Sequence, residues 1–427
     1  MRQKISTEPY KGVRDFYPEE MSVENYLFSK MRQTVESFGY VEYNASILES
    51  AELYEAKTGE EIVNEQTYTF TDRGDRRVTL RPEMTPTVAR MIAKKRTEFY
   101  MPLRLYSIPN LFRYEKMQKG RLREHYQLNV DIFGIDSSEA DAEIISVAYK
   151  LMINLGAKNE DFEIRINDRR IMNLLYEKFG LNEEESYKIS KIIDKKDKIS
   201  SESYKSALEV ILKEKTDKFI ETLESNQNLI KILGEKSLEI EGLIKLIEDL
   251  DALGIKNVRF DQTLMRGFDY YTGFVFEIYD TNSENKRSLF GGGRYDNLLE
   301  IFGKEKMPAV GFGAGDVTIL DFLEVRNLIP EYKNPVSIYI CSLGDEFSME
   351  SKRLADNLRQ SGINVAEDLT LRKVADRIKS AVKQKIPFIV FIGENEVKSK
   401  KYKLKNLNTE EEKELTENEI ASFIKHE

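Results

Sequence analysis

The sequence predicts an α+β protein: a mixed sheet whose strands lie on both sides of an all-helical insertion, followed by a small α/β domain. Three observations carry this. Strand-like segments recur between Tyr40 and Ile166 and return from Val258 onward. Between them, from Asp168 to about Leu253, apolar residues such as Ile171, Leu174, Leu175 and Phe179 fall at helical spacing, with no proline among them. After Pro330 and Pro335 the pattern becomes strand, helix, strand, helix, strand, the order of a parallel sheet.

In chain order, Met21 to Ser37 reads as an amphipathic helix stopped by Gly39, and Tyr40 to Leu48 as extended chain. Thr67 to Leu80 alternates around Asp72, Arg73 and Gly74, which predicts a hairpin with a glycine turn. Thr87 to Lys95 reads as a helix after Pro86. Leu103 to Ile108 and Tyr126 to Phe133 read as strands flanking a charged segment, Arg113 to Glu124. Glu139 to Leu155 reads as a helix and Asp161 to Ile166 as a strand. Beyond the insertion, Val258 to Phe260 and Phe274 to Asp280 are strands, and Arg287 to Arg294 carries three consecutive glycines. The last region predicts strands Val336–Cys341, Ile363–Ala366 and Phe388–Ile392 with helices Asp345–Gln360 and Leu371–Lys385 between them. The divisions are therefore 1–167, 168–254, 255–330 and 335–427.

Composition removes several classes of function. Of 427 residues, 41% are hydrophobic, enough for packed cores. A single cysteine, Cys341, falls in an apolar run and reads as a buried strand thiol, so neither a disulfide framework nor a cysteine zinc site can be built. Two histidines, His125 and His426, leave no histidine metal cluster, and no protein metal site is expected. The polar N-terminus and the lack of long apolar runs predict a cytoplasmic protein with no membrane contact. Net charge is −9, so a nucleic acid would have to be met by local patches. Residues 335–427 balance 16 basic against 16 acidic side chains, leaving that region neutral while the rest of the chain holds the deficit.

Three segments concentrate chemistry. FRYEKMQKGRLREHYQ, Phe112 to Gln127, sets Arg113, Lys116, Lys119, Arg121 and Arg123 against Glu115 and Glu124. Arginine forks suit phosphate oxygens, because they donate paired hydrogen bonds and stay charged. A solvated basic hairpin would look the same. LMRGFDYYTGFVFEIYD, Leu264 to Asp280, puts Arg266, Asp269, Tyr270 and Tyr271 beside two glycines; adjacent strand residues face opposite ways, so one tyrosine can line a pocket. LFGGGRYDNLL sets three glycines before Arg294 and Tyr295. Glycine lets backbone approach a ligand closely, though turns use it too.

Together with TLRPEMTPTVARM (Thr79 to Met91) and KGVRDFYPEEM (Lys11 to Met21), these segments resemble the class II aminoacyl-tRNA synthetases, specifically the histidyl-tRNA synthetase family. The resemblance covers nearly the whole chain in the right order. It implies a class II antiparallel-sheet catalytic domain with a helical insertion and a C-terminal α/β anticodon-binding domain. It also implies ATP and L-histidine as substrates, Mg2+ with the ATP phosphates, tRNA(His) as partner, and a homodimer. Glu83 and Thr85, helped by Gln127, should hold the histidine α-ammonium. Asp131 and Tyr271 should read the imidazole, with Tyr270 lining the pocket. Arg113 and Arg266 should be the catalytic cations on the α-phosphate, and Glu115, Arg121, Arg123 and His125 should complete the ATP site. Arg372, Lys373 and Arg377, from a basic helix, should face tRNA.

Three positions depart from the family pattern. Ser46 stands where a proline lies at the dimer interface. His125 stands where an aromatic stacks on adenine. Thr318, in GFGAGDVTILDFLE, replaces an arginine that contacts the γ-phosphate, a role that would fall to Arg121 or Arg123. The competing reading is a non-catalytic paralogue, a regulatory subunit of ATP phosphoribosyltransferase. Synthetases for threonine, proline or glycine share the fold but would not carry RGFDYYTG.

Overall fold

The computed structural model describes residues 5–55, 66–115, 120–196, 199–234, 237–265, 270–282, 287–370 and 372–426. The chain divides into two compact units, Met1–Pro330 and Glu331–Glu427.

The strands of the first unit are β1 (Val41–Glu42), β2 (Leu48–Ser50), β3 (Tyr68–Thr71), β4 (Arg77–Leu80), β5 (Leu103–Ser107), β6 (Asn110–Phe112), β7 (Glu124–Phe133), β8 (Phe162–Asp168), β9 (Val258–Phe260), β10 (Phe274–Asp280), β11 (Ser288–Arg294) and β12 (Ala309–Gly315). Nine of them form one sheet in the order β1-β5-β7-β12-β11-β10-β8-β9, with β6 beside β7. The outer pairs β1–β5 and β8–β9 are parallel, and the pairs between them antiparallel. The sheet joins strands from before and after the insertion, as the sequence predicts. The hairpin of β3 and β4 pairs with β2 in a smaller sheet. Its turn is fixed by Asp72, whose Oδ1 accepts from the Gly74 and Arg76 amides at 2.8 and 3.0 Å.

Strand alternation splits the long central strand β7 into two faces. Leu128, Val130 and Ile132 enter the main core, while Gln127, Asn129 and Asp131 line a cleft. The main core also takes in the insertion. Helices Arg169–Phe179, Glu183–Ile193, Ser201–Leu212, Thr216–Glu224, Asn226–Leu233 and Leu238–Ala252 bury Ile171, Leu175, Leu208, Phe219 and Leu250 in one cluster with Ile164 and Ile166 of β8. The Asp168 carboxylate begins this stretch by accepting from Arg170 N at 2.8 Å, and Gly180, at φ +75°, ends the first helix.

The three glycines of β11 permit close approach, but first of all between strands. A Cβ on Gly292 would lie 1.9 Å from the Gly311 carbonyl oxygen, and one on Gly311 2.3 Å from the Asp131 carboxylate. The second of these spaces is what admits a charged side chain to the middle of the sheet.

In the second unit β13 (Ile338–Ser342), β14 (Val365–Glu367) and β15 (Phe388–Ile392) form a parallel core. Helices Ser348–Gln360 and Val374–Lys383 supply the crossovers. Two strands absent from the sequence reading, β16 (Lys401–Asn406) and β17 (Glu412–Thr416), extend it antiparallel to the order β14-β13-β15-β16-β17. Tyr402 and Leu404 are buried between Lys401, Lys403 and Lys405, a period-two pattern hidden by its charge. Cys341 is fully buried, which pushes its thiol up to about 12. Among the described residues no helix is long and apolar enough to cross a membrane.

Candidate active site

The cleft on the exposed face of β7, β12, β11 and β10 gathers Glu83, Thr85, Arg113, Glu115, Arg121, His125, Gln127, Asp131, Tyr270 and Tyr271. Residues far apart in sequence reach it because three elements converge. The loop between β4 and helix Thr85–Lys95 brings Glu83 and Thr85. Strand β7 brings His125, Gln127 and Asp131 on one face. The chain entering β10 brings Tyr270 and Tyr271.

Two carboxylates at the cleft floor are buried. The Tyr270 hydroxyl donates to Glu83 Oε2 at 2.9 Å and lies 3.5 Å from Thr85 Oγ1. Burial, then the Glu83 charge, hold the Tyr270 phenol well above its ordinary value, so it remains a donor. Asp131 accepts a short hydrogen bond from Tyr295. Burial raises the Asp131 carboxyl to about 7, against a smaller lowering by Tyr295. The Tyr43 hydroxyl is buried nearby and is pushed up by burial and then by Asp131. Tyr270 packs against Tyr271 and Tyr295 with ring centroids 5.0 and 5.9 Å apart. Tyr43 and Tyr295 are site residues that the sequence alone does not reveal, although Tyr295 stands inside the GGGRYDNLL segment.

At the other end of the cleft, Arg113 is anchored through Nε to the Pro82 carbonyl at 2.8 Å, with Glu115 4.0 Å away. Arg121 pairs with Glu115 at 3.0 Å. His125 is driven down to about 3 by burial and then by the Arg113 and Arg14 charges, so its ring is neutral at any working pH. Thr318 donates to the Leu289 carbonyl at 2.6 Å, and a Cβ on Gly120 would lie 3.7 Å from its methyl. The turn carrying Arg121 therefore lies against the position where the family has its arginine. Arg266 and Asp269 fall outside the described residues, as do Lys116 and Lys119.

Two expected residues are placed otherwise. Arg123 stacks its guanidinium 3.9 Å over the Tyr114 ring and 5.9 Å over Tyr10. Its Nη1 lies 3.4 Å from the Tyr10 hydroxyl and from the Lys11 carbonyl, so it fastens the N-terminal segment, and it is not among the side chains that line the cleft. Arg377, expected to face tRNA, is buried and ion-paired with Asp368 at 2.8 Å. Pairing that offsets the cost of desolvation explains both: Arg123 has the Tyr114 ring beneath it, and Arg377 has Asp368 beside it. Arg372, Lys373, Lys379 and Lys383 are exposed.

Sheet, insertion and carboxylate-lined cleft together have the architecture of a class II aminoacyl-tRNA synthetase. A family model for histidyl-tRNA synthetase matches residues 12–317, and one for an anticodon binding domain matches residues 337–427. The chain belongs to the histidyl-tRNA synthetase family. A histidine–tRNA ligase of Leptospira biflexa is 43% identical over 434 residues, covering 100% of this chain and 99% of the relative, and one of Thermoplasma volcanium is 37% identical over 98% and 99%. The histidyl-tRNA synthetase structure from Nostoc sp. PCC 7120 superposes with a TM-score of 0.85 at 26% identity, covering 99% of this chain and all of that one. A Bacillus halodurans structure described as an ATP phosphoribosyltransferase regulatory subunit/histidyl-tRNA synthetase shares the fold, with a TM-score of 0.75 at 24% identity over 91% of this chain.

The raised Asp131 carboxyl has a consequence for stability. The unfolded chain releases this proton near 3.8 and the folded chain only near 7. The stability that this proton contributes is complete at low pH and is lost as pH rises through about 7. Denaturant unfolding between about pH 4 and 8 should therefore show a steeper fall for the wild type than for Asp131→Asn. Parallel curves would contradict a buried, proton-holding Asp131.

Proposed function

We infer that this chain is a histidine–tRNA ligase, activating L-histidine with ATP to histidyl-adenylate and transferring the histidyl group to tRNA(His), with release of diphosphate and AMP. The observation that carries the reading is the pair of buried carboxylates, Glu83 and Asp131, each held by a tyrosine hydroxyl at one end of a cleft whose other end is cationic.

The α-ammonium of histidine is an ion, and Glu83 with Thr85 and Gln127 offers it charge-assisted acceptors. Asp131 and Tyr271 address the ring nitrogens, and Tyr270 closes the pocket. The histidine carboxylate attacks the α-phosphorus of ATP, a new C–O–P linkage forms, and diphosphate leaves. No protein base is required, because the nucleophile is already an anion. Arg113, together with Arg266 as the family resemblance implies, would stabilise charge at the pentavalent phosphorus. The neutral His125 ring supplies a flat, uncharged surface for adenine. Arg121, on the turn above Thr318, takes the γ-phosphate contact, with Glu115 steering it. Mg2+ bound to the nucleotide would supply neutralisation of the phosphate oxygens beside Arg113 and Arg121. Arg372 and Lys373, exposed in the second unit, contribute phosphate contacts to tRNA. The cytoplasm is the compartment that this reading implies.

A homodimer is supported by exposed apolar residues in and around the edge strands β1 and β2. Val41 is 64% exposed, Leu48 43% and Ile47 39%. An unpaired apolar edge of this kind invites a second copy. Ile47→Asp combined with Leu48→Asp should sediment as a monomer where the wild type sediments as a dimer. A wild-type monomer, or an unchanged dimer in the variant, would remove this surface from the account.

The non-catalytic reading is disfavoured by the anticodon-domain match and by the ligase relatives that align along the whole chain. The two readings differ in one assay. The full chain should catalyse histidine-dependent exchange of diphosphate into ATP and charge tRNA(His). A chain ending at Pro330 should keep exchange and lose most charging. No exchange by the full chain would refute the ligase reading. Undiminished charging by the shortened chain would refute the tRNA role of the second unit.

A further inference from the structure

Strands β7 and β12 pair from Phe133↔Ala309 to Gln127↔Gly315, where the ladder ends. One residue further, the Tyr126 amide has no strand carbonyl to meet, and the Asp316 carboxylate accepts from it at 3.0 Å. Asp316 is fully buried and opens helix Asp316–Val325. Its other oxygen takes a short hydrogen bond from the Arg14 guanidinium, which also lies 3.4 Å from Glu24 Oε1. Glu24, on helix Pro18–Ser37, is 1% exposed. Burial and the adjacent Asp316 raise Glu24 to about 7. One arginine thus stands between two buried carboxylates from opposite ends of the first unit.

The same N-terminal segment also grips the start of β7. The Gly12 carbonyl accepts from Arg123 N at 2.8 Å and from Glu124 N at 3.4 Å. Gly12 has φ +92°, and a Cβ there would lie 2.7 Å from the Arg123 side chain. Phe16 and Phe28 pack on the Tyr126 ring with centroids 6.3 and 5.0 Å away. Residues 123, 124 and 126 are therefore fixed from behind, and His125, which faces the cleft, lies among them.

We propose that Arg14 is a positioning residue for the nucleotide end of the cleft: by bridging Glu24 and Asp316 it locks the N-terminal segment against the start of β7 and so sets the place of His125 and of the Arg121 turn. Arg14 acts through the two carboxylates and touches no substrate. The histidine pocket, built from Glu83, Thr85, Asp131 and Tyr270, does not depend on it. This rests on the reading of the cleft as an ATP and histidine site.

The test is diphosphate exchange by the full chain, with KM measured separately for ATP and histidine. Arg14→Ala should raise the KM for ATP on the order of tenfold to a hundredfold, the scale of one weakened charge-assisted contact, and leave the KM for histidine within about threefold. Adding Glu24→Gln should recover part of the loss, because its amide can donate at every pH to the Asp316 carboxylate that Arg14 no longer holds, in place of the Glu24 carboxyl hydrogen-bonded to it. Arg14→Lys, which keeps the cation without the fork, should fall between and serves where the alanine variant does not fold. An unchanged KM for ATP in both Arg14 variants, an equal rise in both KM values, or no recovery with Glu24→Gln in any foldable Arg14 variant would overturn the role. A wild-type chain without exchange would overturn the cleft reading itself.

Discussion

A carboxylate placed on the face of a β-sheet must find donors, because an unpaired buried charge costs several kcal/mol. In this chain the need recurs three times around one strand. Glu83 finds Tyr270, Asp131 finds Tyr295, and Asp316 finds Arg14 and the Tyr126 amide. Each donor comes from a distant part of the sequence, so these pairs tie together the segments before and after the helical insertion. The fold around the cleft depends on them, and so does its chemistry. Two of the three, Glu83 and Asp131, also line the cleft, where the proposed function uses them as acceptors for histidine.

Strand geometry then divides the work. The odd positions of β7 from His125 to Asp131 meet the cleft, and the even positions from Leu128 to Ile132 meet the core. Gly311 is the counterpart that allows this, since a side chain there would occupy the place of the Asp131 carboxylate. Separation along β7 becomes separation of roles: a neutral ring and cations at one end, carboxylates with phenols at the other. His125 is kept uncharged by burial and by Arg113, so it can serve as a flat surface beside arginines without adding to their charge.

Much of this was legible in the sequence. Strand-like segments on either side of a proline-free helical stretch located the sheet and its insertion, the alternation of Thr67 to Leu80 located the hairpin of β3 and β4, and the charged segment at Arg113 falls at the cationic end of the cleft. What escaped was decided by tertiary pairing. Arg123 and Arg377 carry the same composition signal as Arg121 and Arg372, but only the fold reveals the ring under one and Asp368 beside the other. Asp316 and Arg14 lie 302 positions apart, a distance at which no local pattern links two residues. Strands β16 and β17 are hidden in the sequence because lysines and glutamates occupy their exposed face and mask the alternation.

Under the proposed function, buried oxygen acceptors and donors in the cleft select histidine by its ring nitrogens. The most direct measurement compares kcat/KM in amino-acid-dependent diphosphate exchange for histidine and for β-(2-thienyl)alanine, which has a five-membered ring of similar size and no ring nitrogen. A site built to hydrogen-bond a ring leaves its polar groups unpaired against such an analogue, and the account predicts discrimination on the order of 10⁴ or more. Discrimination of about tenfold, the scale of a pocket that reads only shape, would contradict it.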